Sequence, residues 1–233
     1  MNAVRFVDRE DAGRQLAERL RGRELTRPLV LAIPRGGIEV AVPIAQALGA
    51  ELDVVIARKL RAPAQSELAL GAVSESGEVV LNPRFAGLTA GLSQYLHEER
   101  AHQAAEIERR VALFRAARPK ASVAGRSVIV TDDGIATGAT LFAALRTVRA
   151  QGPREVIVAM PVAPADLLDE VRELCDELIC LYAPEEFWAV GMHYERFPQV
   201  SDERVVESLA ASLRPTASTE AHADAVSVAS GRT

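Results

Sequence analysis

Cysteine is scarce in this chain: Cys175 and Cys180 stand alone, at no spacing that metal binding or thiol redox chemistry uses. Both fall in apolar patterns and read as core thiols. No apolar run approaches the roughly 18 residues of a membrane span, and no charged-then-apolar leader is visible. The expectation is therefore a cytoplasmic protein without a membrane partner. Excess positive charge is missing too. The formal net charge is -5, which argues against broad attachment to nucleic acid or an anionic membrane, though it leaves room for a local basic patch. His97 and His102 fall on a polar helix and form no metal pattern, and no internal repeat appears.

What is present suffices for an ordinary globular core. Hydrophobic residues make up 48% and charged residues 25% of 233 residues. A chain of that length buries roughly 70% of its unfolded surface, so it folds without covalent staples. Helix and strand patterns alternate along it. Asp8 caps a helix pattern that runs to Leu20 and stops at Gly22. Strand one spans residues 29–33, a helix 38–48 ends at Gly49, and strand two spans 52–57, closed by Arg58 and Lys59. Residues 68–73 and 78–81 then flank a Ser-Glu-Ser-Gly turn as a hairpin. A long polar helix over 93–117 carries Glu106 and Arg110 at pairing distance. Strands at 127–131, 155–160 and 178–181 alternate with helices at 140–150 and 166–175.

This order predicts an α/β fold, a mostly parallel five-stranded sheet with helices on both faces. One domain is expected over residues 1–213, with an insertion near 61–120 and a small appendage near 183–200. The Ala-, Ser- and Thr-rich residues 214–233 read as a disordered tail. If the strands lie in the order 2-1-3-4-5, the loops after strands one and three flank the point where α/β sheets bind ligands. These are the two most unusual loops of the chain.

The loop after strand three follows a β-branched run and begins with two acids, Asp132 and Asp133. Ala136, Thr137, Gly138, Ala139 and Thr140 then open a helix. The first amides of a helix lack internal partners and attract anions. Gly138 lets backbone approach a phosphate, and the threonines add hydroxyl donors. The helix end contributes about 0.3–2 kcal/mol towards an anion, and hydrogen bonds add more. Two acids beside a phosphate repel it unless something separates them. A phosphorylated sugar does so, with its phosphate in the loop and its hydroxyls on the acids. The plain alternative is an Asp-Gly turn before a Thr-capped helix.

Residues 128–140 resemble the signature of type I phosphoribosyltransferases: an apolar strand, two acids, three intervening residues and Thr-Gly-x-Thr. The match to that signature is complete. Over residues 1–210 the chain is also similar to a bacterial group of predicted phosphoribosyltransferases whose acceptor is unassigned. The resemblance implies that Asp132 and Asp133 hold the ribose hydroxyls of phosphoribosyl pyrophosphate (PRPP), and that Ala136 to Thr140 bind its 5-phosphate. It implies a pyrophosphate loop at Pro34-Arg35-Gly36-Gly37, where backbone amides grip the leaving group and a strained peptide is common. Two glycines after a buried strand permit such an amide nest, and Arg35 adds a delocalised cation. Arg58 and Lys59 would neutralise pyrophosphate, or else sit on a solvated strand end.

The same resemblance makes residues 61–95 a mobile flap, in which Glu67 is either a polar contact or a plain surface residue. It makes the segment after strand five a hood, in which Phe187 and Trp188 are candidates to bind the acceptor, with Tyr194 and Phe197 close by. Ordinary packing of a C-terminal segment is the alternative. His193 would donate to the acceptor or, more simply, lie at the surface. The implied activity is Mg2+-dependent transfer of the phosphoribosyl group to a nitrogenous base or similar small molecule. No dedicated metal cage is expected, since Mg2+ leans on substrate phosphates and water with Asp132 or Asp133 as its protein contact. A homodimer is one expectation for the assembly. Two rivals stand beside this: a non-catalytic module of the same fold that senses PRPP or a nucleotide, and a phosphatase or receiver-like protein using Asp132 and Asp133 for Mg2+.

Overall fold

The computed structural model describes residues 5–63, 65–81, 87 and 91–212, with backbone only at 65–67. The expected tail at 214–233 and the side chain of Glu67 lie outside what is described. The first half of the chain runs α1 (Arg9–Leu20), β1 (Leu29–Ala32), α2 (Gly37–Leu48), β2 (Glu51–Val54), β3 (Ala57–Ala62), β4 (Gln65–Ser74) and β5 (Val79–Leu81). After it come α3 (Ser93–Ala117), β6 (Ser127–Thr131), α4 (Ala139–Arg149), β7 (Glu155–Val162), α5 (Leu168–Arg172), β8 (Glu177–Tyr182) and α6 (Asp202–Ala211).

Five parallel strands make the central sheet in the order β2-β1-β6-β7-β8, as the sequence leads one to expect. Successive side chains point to opposite faces of a strand, and the core divides accordingly. Leu29, Leu31, Val128 and Val130 pack with Leu141, Leu145 and Val148 of α4. Val30, Ala32 and Ile129 pack with Leu16 and Leu20 of α1, Ile44 of α2 and Leu209 of α6. Both faces are dry, so the strands carry uninterrupted apolar runs rather than alternation. Each such side chain contributes about 1.5–3 kcal/mol by leaving water. No described helix is long and apolar enough to cross a membrane.

The helix ends follow local chemistry. The side chain of Asp8 accepts from the amide of Asp11 at 2.9 Å, and α2 ends in a left-handed Gly49. The hairpin forms as well, with Ser74 and Glu78 bonded through their backbones and β3-β4-β5 making a separate antiparallel sheet. Three expectations need correction. The run at 52–57 is not one strand: β2 ends at Val54, and Ala57 opens β3 in the small sheet. Every residue of the run is buried, and all but Asp53 are apolar, so periodicity cannot show the break. Arg58 and Lys59 therefore ride on the small sheet and do not end a core strand. The helix expected at 166–175 is a 3-10 turn (Ala165–Leu167) followed by the short α5. Lastly, α6 was not foreseen, although Ser201 caps it through the Arg204 amide and Val205 and Leu209 are buried one turn apart.

Candidate active site

The cleft opens at the C-terminal ends of β1 and β6, where the strand order reverses. The Ile33 amide donates to the Thr131 carbonyl at 2.9 Å, holding the two loop origins side by side. The Pro34–Arg35 peptide bond is cis. Gly36 has to lack a side chain, because a Cβ there would stand 1.8 Å from Asp133 Oδ2. The loop after β1 thus lies directly on the carboxylate delivered by β6.

Two adjoining cavities share Lys59, Asp132, Asp133 and Thr140. The first, about 260 Å³, receives Arg35 and Gly36 from the β1 loop, Arg58, Lys59 and Arg61 from β3, and Arg110 from α3. The second, about 220 Å³, is the concave side of residues 134–141, with Val190 on its far wall. So Asp132, Asp133, Arg35, Gly36, Arg58 and Lys59 meet the loop of Ala136, Thr137, Gly138, Ala139 and Thr140 in one place. Gly37 lines neither cavity; it starts α2, and a Cβ on it would lie 3.0 Å from the Asp132 Cα.

The two acids are in different surroundings. Asp132 Oδ1 accepts from the Asp133 amide at 2.8 Å. Burial, then the adjacent Asp133 charge, raises the Asp132 pKa well above the ordinary carboxylate range. Burial raises Asp133 as well, but Arg9 opposes it, with Nε donating to Asp133 Oδ2 at 2.8 Å. The acids therefore titrate as a pair. Tyr194 Oη donates to the Asp133 carbonyl at 2.6 Å; burial pushes that phenol's pKa up, with Asp133 adding to it.

In the loop that follows, Gly138 takes φ +74° at the N-terminal cap of α4. The Thr137 hydroxyl oxygen is buried and has no partner among the described residues. An unsatisfied buried hydroxyl costs about 1–3 kcal/mol, which an oxygen-rich ligand in the second cavity would recover. Across the cleft, the cations are held by α3. Arg58 Nε donates to Gln103 Oε1 at 2.7 Å, and Arg110 Nε to Glu106 Oε1 at 3.1 Å. The hydrogen bond from Arg109 is the chief cause that holds the Glu106 carboxyl down at about 2. Burial, then neighbouring Arg110, lowers the Arg58 pKa.

Among the described residues no cluster of three or more His, Cys, Asp or Glu could hold a metal ion. The Asp132–Asp133 edge offers two hard oxygen donors, which suits a divalent cation that draws its other ligands from a bound phosphate and water.

The hood differs from expectation. Trp188 is 78% exposed, and neither it nor Phe187 lines either cavity; Val190 does. His193 is not at the surface: it is 1% exposed, packed against Tyr182 and Phe187. Burial, with help from Arg5, lowers its pKa. Arg9, Arg61 and Arg110 escaped notice as residues of the site. A signal for Arg9 existed, since it shares the buried face of α1 with Ala12, Gly13, Leu16 and Leu20. A charge on an apolar stripe asks for a partner. Arg61 and Arg110 carry no such local sign.

Known proteins resemble this chain in sequence and in overall fold. Residues 7–196 match the profile of the family described as Phosphoribosyl transferase domain. Proteins from two Mycobacterium tuberculosis strains, CDC 1551 / Oshkosh and H37Rv, provisionally named phosphoribosyl transferases, are 43% identical over 204 residues. The match covers 88% of this chain but 46% of each relative, so the chain spans under half of their length. The crystal structure of TT1426 from Thermus thermophilus aligns with 45% identity and a TM-score of 0.75, over 89% of this chain and 98% of that one.

Proposed function

The chain belongs to the phosphoribosyl transferase domain family, and from that premise we propose that it transfers the phosphoribosyl group of PRPP to a nitrogenous acceptor, releasing pyrophosphate. The observation that carries the proposal is the pair of cavities sharing Asp132 and Asp133, one walled by cations and the other by a loop of amides and hydroxyls. A molecule with phosphates at both ends and hydroxyls between them matches that order of groups.

In this reading the ribose hydroxyls donate to Asp132 and Asp133. The 5-phosphate takes the first amides of α4 together with Thr137 and Thr140. The pyrophosphate lies in the first cavity, against Arg35, Lys59, Arg58, Arg61 and Arg110. The bond from the anomeric carbon to the pyrophosphate oxygen breaks, a bond from that carbon to the acceptor nitrogen forms, and the acceptor gives up a proton. Positive charge builds on the sugar at that moment, and the nearby acid pair favours it. The cationic wall takes up the charge of the leaving group. Mg2+, held by pyrophosphate oxygens with Asp132 or Asp133 as its protein contact, would supply further charge neutralisation. Fixed placement of sugar and acceptor contributes the rest. Of the hood residues, Val190 lines the second cavity and the exposed Trp188 does not, which supports Val190 over Trp188 as a contact to the bound molecules.

Calorimetric titration of PRPP with Mg2+, followed in the same sample by pyrophosphate release across a panel of bases, tests this. Base-dependent release identifies the acceptor class. Binding without release for every base favours the sensing module, and no binding removes the reading. Asp133→Asn should weaken PRPP binding by at least about tenfold, the scale of one charged hydrogen bond; unchanged affinity would take that residue out of the ribose site.

A further inference from the structure

The first residue of α1 lines neither cavity, yet it bonds to one of the two acids from a position distant from every motif. Arg9 is 5% exposed. Its Nε donates to Asp133 Oδ2 at 2.8 Å, its Nη1 donates to the Pro198 carbonyl at 2.8 Å, and its Cζ lies 3.6 Å from the centre of the Phe197 ring. Glu39 stands farther off, at 3.7 Å. Asp133 is therefore the one carboxylate within hydrogen-bond reach of this buried guanidinium among the described residues.

The surroundings leave the carboxylate little freedom. Gly36 presses on Oδ2 from the β1 loop. Tyr194 grips the backbone of the same residue, and Tyr194 in turn packs on Phe197 with ring centres 4.9 Å apart. The N-terminal segment is bonded to this region as well, the Phe6 amide to the His193 carbonyl and the Glu195 amide to the Phe6 carbonyl. Arg9 thus joins three things: the start of α1, the hood at residues 197–198, and one member of the acid pair.

Resting on the transferase reading above, we propose that Arg9 is a positioning residue for the ribose site. It fixes the direction of the Asp133 carboxylate and compensates one of two adjacent negative charges beside a highly anionic ligand. It also ties that carboxylate to the hood, so the sugar contact and the acceptor side of the cleft share one anchor. Without it, Asp133 loses its fixed orientation, so binding of PRPP suffers more than binding of the acceptor does.

A double-mutant cycle on PRPP binding, measured calorimetrically with Mg2+ for wild type, Arg9→Gln, Asp133→Asn and the double variant, tests this. Arg9→Gln should raise the PRPP Kd about tenfold, and the double variant should bind no worse than roughly twofold below the weaker single variant. In steady state the KM for PRPP should rise while the KM for the acceptor stays within roughly twofold. Arg9→Lys, which keeps the charge but not the planar fork, should recover part of the loss, and it replaces Arg9→Gln in the cycle if that variant does not unfold cooperatively. Independent, multiplying losses overturn the proposal, as does an Arg9→Gln Kd within roughly twofold of wild type. Failure of the wild type itself to bind PRPP is a different result: it removes the transferase reading, and this inference with it.

Discussion

The two halves of the cleft are built in opposite ways. The loop half, residues 132–140, is one contiguous stretch between β6 and α4 that presents amides, hydroxyls and two acids. The cationic half is assembled from the β1 loop, β3 and α3, and it presents guanidinium and ammonium groups held by acids and amides of α3. A contiguous loop offers a few short, aimed donors, each in a fixed place. An assembled wall offers several long, partly interchangeable charges. The first should fail sharply when one residue changes, and the second should fade by degrees.

The strongest way to break that contrast is at the seam between the halves. Gly36→Ala puts a Cβ where Asp133 Oδ2 stands. Overpacking of this kind costs about 1–3 kcal/mol, and the displaced atom is a proposed ligand contact, so PRPP affinity should fall about a hundredfold. Calorimetry that finds affinity retained would show that the carboxylate can move without penalty.

Within the loop half, Thr137→Val removes a hydroxyl that has no partner among the described residues. PRPP binding should weaken by about 1 kcal/mol, while thermal unfolding of the unliganded protein stays level or moves upward, since an unsatisfied buried group has gone. A fall in both would mean that the hydroxyl serves the fold and not the ligand.

The cationic half should respond more weakly. Arg61→Met and Lys59→Met should each reduce pyrophosphate affinity only a few-fold, by about 0.5–1 kcal/mol, with the losses growing at low salt. A loss from either alone as large as that from Asp133→Asn would make this wall as sharply specified as the loop.

The smallest effect is expected at Glu106, whose carboxyl is held at about 2 chiefly by its hydrogen bond from Arg109. A carboxyl with a lowered folded pKa adds stability above its ordinary pKa, and that contribution disappears as pH falls through the folded value. Glu106→Gln should therefore lower stability by less than about 1 kcal/mol at neutral pH, because the pair is partly solvated. Thermal unfolding should show the gap between variant and wild type closing as pH drops from about 4.5 towards 2. A gap that does not change with pH would mean that Glu106 acts through packing.

How far the fold can be read along the chain depends on the range of the forces involved. The sequence pattern places the 93–117 helix and the 127–131 strand at their observed bounds. The first has a long polar pattern and the second a β-branched run closed by acids. The two short strands at 51–54 and 57–62 merge into one pattern because the residues that join them, Val54 to Ala57, are all apolar and buried and nothing local marks where the chain changes sheets. The α6 helix carries its own cap and an apolar pair, yet it follows an irregular segment and reads as a continuation of it. His193 shows the same difficulty in the hood, where a short 3-10 turn has no periodicity from which to infer burial.

The sequence by itself determined the parallel sheet and the acid pair followed by its anion loop, while the strand order was an assumption that the structure bears out. Those rest on local signals: hydrophobic period, caps, and residues adjacent in the chain. Only the tertiary structure decided which cations face the acids, that Val190 and not Trp188 reaches the cleft, and that Arg9 holds Asp133. Arg9 and Asp133 are 124 positions apart, and no local preference records such a pair. It arises because α1 and the hood bury a shared core with Val162 of β7, beside the β6 loop, which leaves Arg9 where Asp133 can satisfy it.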